Sequence, residues 1–262
     1  MKFSLPFGAV LVAATLLCAL PTQAKLVTKN VEYSQGGQIL EGFLAYDDAF
    51  NGKRPGVLIG HQWKGLGEYE KRRARMLAQM GYIAFALDIY GKGIRPKSPA
   101  QARVQATKYR SNRPLLRERA RAAVIALRKQ PNVDEARLAM IGYCFGGGTA
   151  LELARSGADL RGFVSFHGNL DTPNPSLAKN IKGKILILHG AIDPAVKPES
   201  IKSFHDEMEA ANVDYQFISY SGAVHSFTEK EAGNDISKGS AYNERADKRS
   251  WQAMKTFFNE IF

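Results

Sequence analysis

Cysteine is almost missing from this 262-residue chain, which has only Cys18 and Cys144. A disulfide framework is therefore excluded, and so is any C-x-x-C metal or redox motif. The five histidines never fall in H-x-H or H-E-x-x-H spacing, so the motifs predict no metal and no cofactor. No repeat with a period of about 20 to 50 residues is visible, which excludes solenoids and propellers. Glycine (24) and proline (11) are at ordinary levels, so no low-complexity tract is present. What remains is 45% hydrophobic and 23% charged, the composition of a globular chain and not of a disordered tail or a fibre.

Long apolar runs are also scarce, and the one near the N-terminus reads as a leader. Lys2 gives a basic start, Ala9 to Leu20 is apolar, and Pro21-Thr22-Gln23-Ala24 ends on the small residue a signal peptidase needs. Residues 1–24 are thus predicted to be a signal peptide and residues 25–262 a single domain. The expected location is periplasmic or secreted, with no stable membrane insertion once the leader is removed. The bulky Leu16-Leu17 before Cys18 argues against lipidation there. Cys144 is left as a lone thiol in an oxidising compartment, either an inert buried side chain or a reactive one.

The formal charge of +11 is unevenly placed. Residues 71–129 hold 16 Lys and Arg against Asp88 and Glu118, whereas the rest of the chain is slightly acidic. Either this is a patch for an anionic partner, as in a non-catalytic binding protein, or it is a set of solvated helix faces. The basic residues interleave with Ala, Leu, Val and Ile at helical spacing, and no aromatic platform runs through them, which favours helix faces and predicts no nucleic-acid partner.

Val57–Ile59, Ile83–Leu87, Leu138–Ile141, Gly162–Phe166 and Lys184–Leu188 are short apolar runs with little alternation, as expected of strands buried on both faces of a parallel sheet. Between or after them, Glu68–Met80, Leu115–Lys129, Gly147–Arg155, Glu199–Ala211 and Ser250–Phe262 carry apolar residues three and four apart. Alternating strand and helix predict an α/β, doubly wound sheet with right-handed crossovers. Val27–Ser34 and Gln38–Tyr46, joined at Gly36-Gly37, predict an antiparallel edge hairpin, and Tyr215–Tyr220 a last strand. Nothing of cap-domain size lies between Phe166 and Lys184, so an open site is expected. Lys92–Arg113 reads as one long irregular excursion on its rim.

Chemistry concentrates at Gly142-Tyr143-Cys144-Phe145-Gly146-Gly147-Gly148, where a buried strand hands over to a helix. A nucleophile on such a turn adopts a strained backbone, and glycines two before and two after it let strand and helix approach. The helix N-terminus favours the thiolate over the thiol, and the Phe145 amide is placed to receive an oxyanion. A phosphate-binding turn is the duller reading, but the G-x-G-x-x-G order is absent. Asp193 and His225 follow the last two predicted strands, at the sheet edge where ligands sit in such folds. The order nucleophile, acid, histidine is that of the α/β-hydrolase arrangement. A thiol redox protein would need a second, resolving cysteine, which the chain lacks.

This constellation resembles the dienelactone hydrolase family, over about Val31 to Phe262. The resemblance implies an α/β-hydrolase fold without a cap, a Cys144–His225–Asp193 triad, and a small-molecule ester or lactone as substrate. It also implies that His61-Gln62-Trp63-Lys64-Gly65 completes the oxyanion hole, with the Trp63 amide as second donor. Two departures follow. Gln62 stands where dienelactone enzymes have a glutamate that contacts the resting thiol, which leaves the resting state of Cys144 to His225 alone. Lys92 and Glu229 stand where those enzymes carry two carboxylate-binding arginines, and Glu229 repels a carboxylate. Gln62, Tyr90 and Lys92 are the expected substrate contacts. His61, His167 and His189 also sit at predicted strand ends, near Asp88, Asp171 and Glu199 in the pattern, without metal-binding spacing. His205 is expected to face solvent.

Overall fold

The computed structural model describes Met1, Phe3 and residues 25–262; the apolar run and cleavage site of the predicted leader lie outside the described residues. Eight strands form one sheet: β1 (Leu26–Gln35), β2 (Gln38–Asp47), β3 (Arg54–Gly60), β4 (Ile83–Ala86), β5 (Val133–Tyr143), β6 (Gly162–Phe166), β7 (Lys184–Gly190) and β8 (Tyr215–Tyr220). Their spatial order is β1-β2-β4-β3-β5-β6-β7-β8. The first two strands pair antiparallel, β2 also runs antiparallel to β4, and every pairing from β4 onward is parallel. The expected α/β architecture with an antiparallel edge hairpin is thus observed. Gly36 and Gly37 fill the hairpin turn at φ +54° and +76°, the conformation a tight two-residue hairpin demands at both positions.

The strands read as apolar runs because helices cover both faces. Leu58, Met140, Phe163 and Ile185 point into one layer, whose helices are α2 (Pro99–Arg110), α3 (Arg113–Arg128), α4 (Phe145–Arg155) and α5 (Pro198–Ala210). Val57, Ile141, Val164 and Leu186 point into the other, under α1 (Glu68–Gln79) and α6 (Glu244–Ile261). All these strand side chains are essentially unexposed. Among the described residues no helix is long and apolar enough to cross a membrane.

Three expectations need correction. The excursion after Lys92 is not irregular: Ser98 caps α2 by accepting from the Gln101 amide, and Pro99 opens it. Its buried face is Ala102, Ala106 and Tyr109, and alanines give so little hydrophobic contrast that the helical period does not show. His205 does not face solvent: it is half-buried, with its Nδ1 2.9 Å from the Tyr215 hydroxyl. The solvated helix faces expected of the basic stretch hold for most of its Lys and Arg but not for all, because Arg73, Arg113 and Arg119 are buried. Arg117 and Arg155 both bind the fully buried Glu152 (2.6 and 3.1 Å), and Arg155 reaches Glu207 at 2.7 Å. Arg117 and Arg155 thus clamp α3, α4 and α5 together, since a buried carboxylate without its partner is strongly destabilising.

Candidate active site

The turn from β5 into α4 holds Cys144 at φ +54°, ψ −114°, a conformation L-residues rarely adopt and one costing about 1–3 kcal/mol. It persists because the crossing beneath it has no room for side chains. A Cβ on Gly142 would lie 2.0 Å from the Gly146 carbonyl oxygen, and one on Gly146 would lie 2.2 Å from that of Gly60. The Cys144 amide donates to Phe166 O at 3.0 Å, and its carbonyl accepts from Gly147 at the start of α4. The side chain is left 7% exposed at the carboxyl edge of the sheet.

His225 comes from the loop after β8, pinned by backbone bonds to Gly239 and Ala241. Its Nε2 lies 3.0 Å from Cys144 Sγ, and its Nδ1 lies 2.8 Å from Asp193 Oδ2. Asp193, buried on the loop after β7, also accepts from the Ala195 amide at 2.8 Å. With a carboxylate as partner, Nδ1 carries a hydrogen, which leaves Nε2 facing the sulfur. Burial alone would push the His225 pKa down, but Cys144 and Asp193 overcome it and hold the imidazole protonated well above its ordinary range. Burial likewise pushes the Cys144 thiol up, and is outweighed by His225, by the Arg110 guanidinium and by the Phe145 amide, so the thiol lies below its usual pKa. The two directions agree on a thiolate–imidazolium pair. His167 packs edge-on to His225 with centroids 5.1 Å apart and is kept neutral, first by burial and then by the His225 charge.

The loop after β3 approaches the same edge. Fully buried, His61 has its pKa pushed down to about 4 by desolvation. Its Nε2 accepts from the Ile89 amide (3.2 Å), so its Nδ1–H donates to the Gln62 carbonyl (2.6 Å). Gly65 donates to that same carbonyl, which fixes the plane of the peptide whose N–H belongs to Trp63. Glu70 accepts the Gln62 amide at 3.0 Å, and the Tyr90 hydroxyl donates to the Trp63 carbonyl at 2.9 Å. The Trp63 N–H itself donates to no protein group among the described residues. His61, with no metal-like neighbourhood, thus orients a peptide. Among the described residues no group of three or more His, Cys, Asp and Glu side chains is arranged to hold a metal ion.

The expected substrate contacts are placed unevenly. Gln62, Trp63 and Glu229 line one cleft of about 340 Å³. Tyr90 is buried, and its hydroxyl is engaged with Trp63, so it acts on the loop and not on the cleft. Lys92 is not brought to the others: its amide stitches to Ile39 O, and its exposed ammonium pairs with Glu32 of the edge hairpin. Sequence reasoning missed Arg110. This last-turn residue of α2 is half-buried, donates to Asn169 Oδ1 at 2.6 Å and lies 5.9 Å from the Phe145 ring centroid. After His225, its charge is the next influence lowering the Cys144 thiol pKa, so the thiolate is not supported by His225 alone. The expected result of Arg110→Gln is an upward shift of the acid limb of thiol alkylation by iodoacetamide. An unmoved limb would remove Arg110 from the thiolate's support.

An elbow cysteine, a histidine and an acid at the carboxyl edge of a mostly parallel sheet define an α/β-hydrolase. The sequence pattern of the dienelactone hydrolase family matches residues 40–262, and the chain belongs to that family, as a hydrolase of the ester and lactone class. Along 150 residues it is 39% identical to an uncharacterised protein of Caenorhabditis elegans, covering 56% of this chain and 94% of that one. It is 30% identical over 205 residues to a Bradyrhizobium sp protein described as a probable 2-oxo-3-(5-oxofuran-2-ylidene)propanoate lactonase, covering 73% and 82%. A solved dienelactone hydrolase-like promiscuous phosphotriesterase from metagenomic libraries superposes with a TM-score of 0.87 at 40% identity, covering 90% of this chain and 99% of that one.

Proposed function

We propose that this protein hydrolyses small carboxylic esters or lactones through Cys144, His225 and Asp193. The observation that carries the reading is the pair of contacts through one imidazole, 3.0 Å to the sulfur and 2.8 Å to the carboxylate. The Cys144 thiolate attacks the carbonyl carbon, and the resulting oxyanion is received by the Phe145 and Trp63 amides. The tetrahedral intermediate collapses as the C–O bond breaks, and the His225 imidazolium gives its proton to the departing alkoxide. A thioester and a neutral His225 remain. His225 then takes a proton from water, whose oxygen attacks the thioester; C–S cleavage releases the acid and restores the thiolate–imidazolium pair. Asp193 holds the imidazole in one tautomer throughout. The leader over residues 1–24 makes this, in the same reading, an exported enzyme.

Intact-mass measurement after brief incubation with a panel of activated esters tests the scheme. The expected adduct is one acyl group, retained in denaturant and lost on Cys144→Ala. An aryl dialkyl phosphate belongs in the panel because the metagenomic relative is described as a phosphotriesterase. Turnover of the esters without any adduct on Cys144 would defeat the assignment of the nucleophile.

A further inference from the structure

The cleft beside Trp63 carries one acidic group that the protein itself leaves unneutralised. Of its ionisable walls, Arg72 is forked onto Glu231 at 3.1 and 3.3 Å. Arg95 lies 3.6 Å from the buried Asp88 and donates to the carbonyls of Gly91 and Ile94. Glu68 binds Lys71 at 2.9 Å, outside the cleft, and Glu70 is occupied by the amides of Gln62 and Gly67. Lys64 is exposed and lines the cleft, and its charge acts on Glu229 without forming an ion pair with it. That leaves Glu229, half-buried, four residues past His225, with no cationic side chain within 4.0 Å among the described residues.

Burial of Glu229, followed by the charge of Glu231, raises its carboxyl pKa, and the neighbouring Gln62 amide, Lys64 and Arg72 only partly oppose this. A carboxylate so placed is short of a positive partner. Arg110, the cation that supports the thiolate, does not line the cleft. Cys144 and His225 do not line it either, so the cleft is a neighbouring compartment that meets the site at the Gln62–Trp63 loop, and Glu229 is its carboxylate without an ion pair or a pair of backbone amides.

We infer that the cleft bounded by Gln62, Trp63 and Glu229 is a cation subsite, taking a positively charged group of the substrate, such as an ammonium, while the ester carbonyl sits at Cys144. This rests on the hydrolase reading and adds the substrate class. It also reverses the charge preference that the family resemblance implies at this position.

The test compares kcat/KM for three p-nitrophenyl esters in the full-length protein. One has a γ-trimethylammoniobutyryl group; the second is its carbon isostere, with tert-butyl in place of trimethylammonium; the third is mono-p-nitrophenyl glutarate. The wild type is expected to favour the cationic over the neutral ester by about fivefold, the size of one half-exposed ion pair, with a smaller ratio at high salt. Glu229→Gln should bring the ratio to about one and remove its salt dependence, and Glu229→Lys should favour the glutarate. A cation-to-neutral ratio that is the same in wild type and Glu229→Gln overturns the subsite while leaving the hydrolase intact. Failure of all three esters to acylate Cys144 instead strikes the hydrolase reading on which the subsite rests.

Discussion

Alanine at position 144 is expected to lower kcat/KM on p-nitrophenyl acetate by about 10⁴-fold or more, to the level that binding and backbone amides alone provide. The size follows from what is lost. Without the sulfur there is no covalent intermediate, and His225 faces a methyl group instead of the anion that holds its proton. Serine at the same position is the more revealing change. Its hydroxyl is far too weak an acid to ionise against His225, so the resting ion pair dissolves and the imidazole must first be neutral to act as a base. The wild type should be active where Cys144 is a thiolate and His225 still an imidazolium, losing activity as pH falls through the lowered thiol pKa and again as it rises through the raised imidazole pKa. Cys144→Ser should instead gain activity as pH rises through the pKa of a histidine no longer facing a thiolate, at a maximum about 10²- to 10³-fold below wild type. Full pH profiles of kcat/KM decide this, and an alanine variant matching the wild type would end the scheme.

How much of this was legible in the chain depends on the range of the contacts involved. Strands β3 to β7 were readable because burial on both faces forces unbroken apolar runs such as Lys184–Leu188. The elbow was readable because its steric demand falls on Gly142 and Gly146, two residues either side of Cys144. The positions of Asp193 and His225 followed from where β7 and β8 end, and the structure brings Asp193 and Cys144 to the two nitrogens of the His225 imidazole. Contacts set by distant packing were not readable. Arg110 comes to the Phe145 ring beside Cys144 only because α2 forms and Asn169 comes to meet it from 59 residues away in sequence. Lys92 turns toward the hairpin because its backbone is bonded to Ile39, a pairing no local pattern announces. The use of His61 as an orienter depends on a hydrogen bond from Ile89 that fixes its tautomer. Small residues also hide helices: α2 was missed for its alanines, and α6 starts at Glu244 instead of Ser250 because its first turn is polar and capped by Asn243.

Asparagine at position 193 should be almost as damaging as loss of the sulfur while leaving the fold undisturbed. Asp193 accepts two hydrogen bonds, from His225 Nδ1 and from the Ala195 amide, each 2.8 Å long, and lies buried. An asparagine side chain has the same shape, but only its oxygen can serve as acceptor. If the oxygen stays with Ala195, the amide nitrogen donates toward His225 and drives the imidazole into the tautomer whose Nε2 carries the hydrogen and whose Nδ1 does not. The negative charge is lost in either orientation. Both the hydrogen bond and the charge of Asp193 raise the His225 pKa, so their removal lowers it, and the thiolate loses its cationic neighbour. The expected outcome is a fall in kcat of about 10³- to 10⁴-fold with KM little changed, the pattern of a group that orients the base and not the substrate. The alkaline limb of the pH profile should move down and the iodoacetamide reaction of Cys144 near neutral pH should slow, because without the Asp193 charge the cost of burying the imidazolium is less well offset and the thiolate loses the cation that supports it. Melting of Asp193→Asn close to the wild type separates this chemistry from misfolding. A variant with normal kcat and an unshifted profile would show that His225 needs no carboxylate behind it.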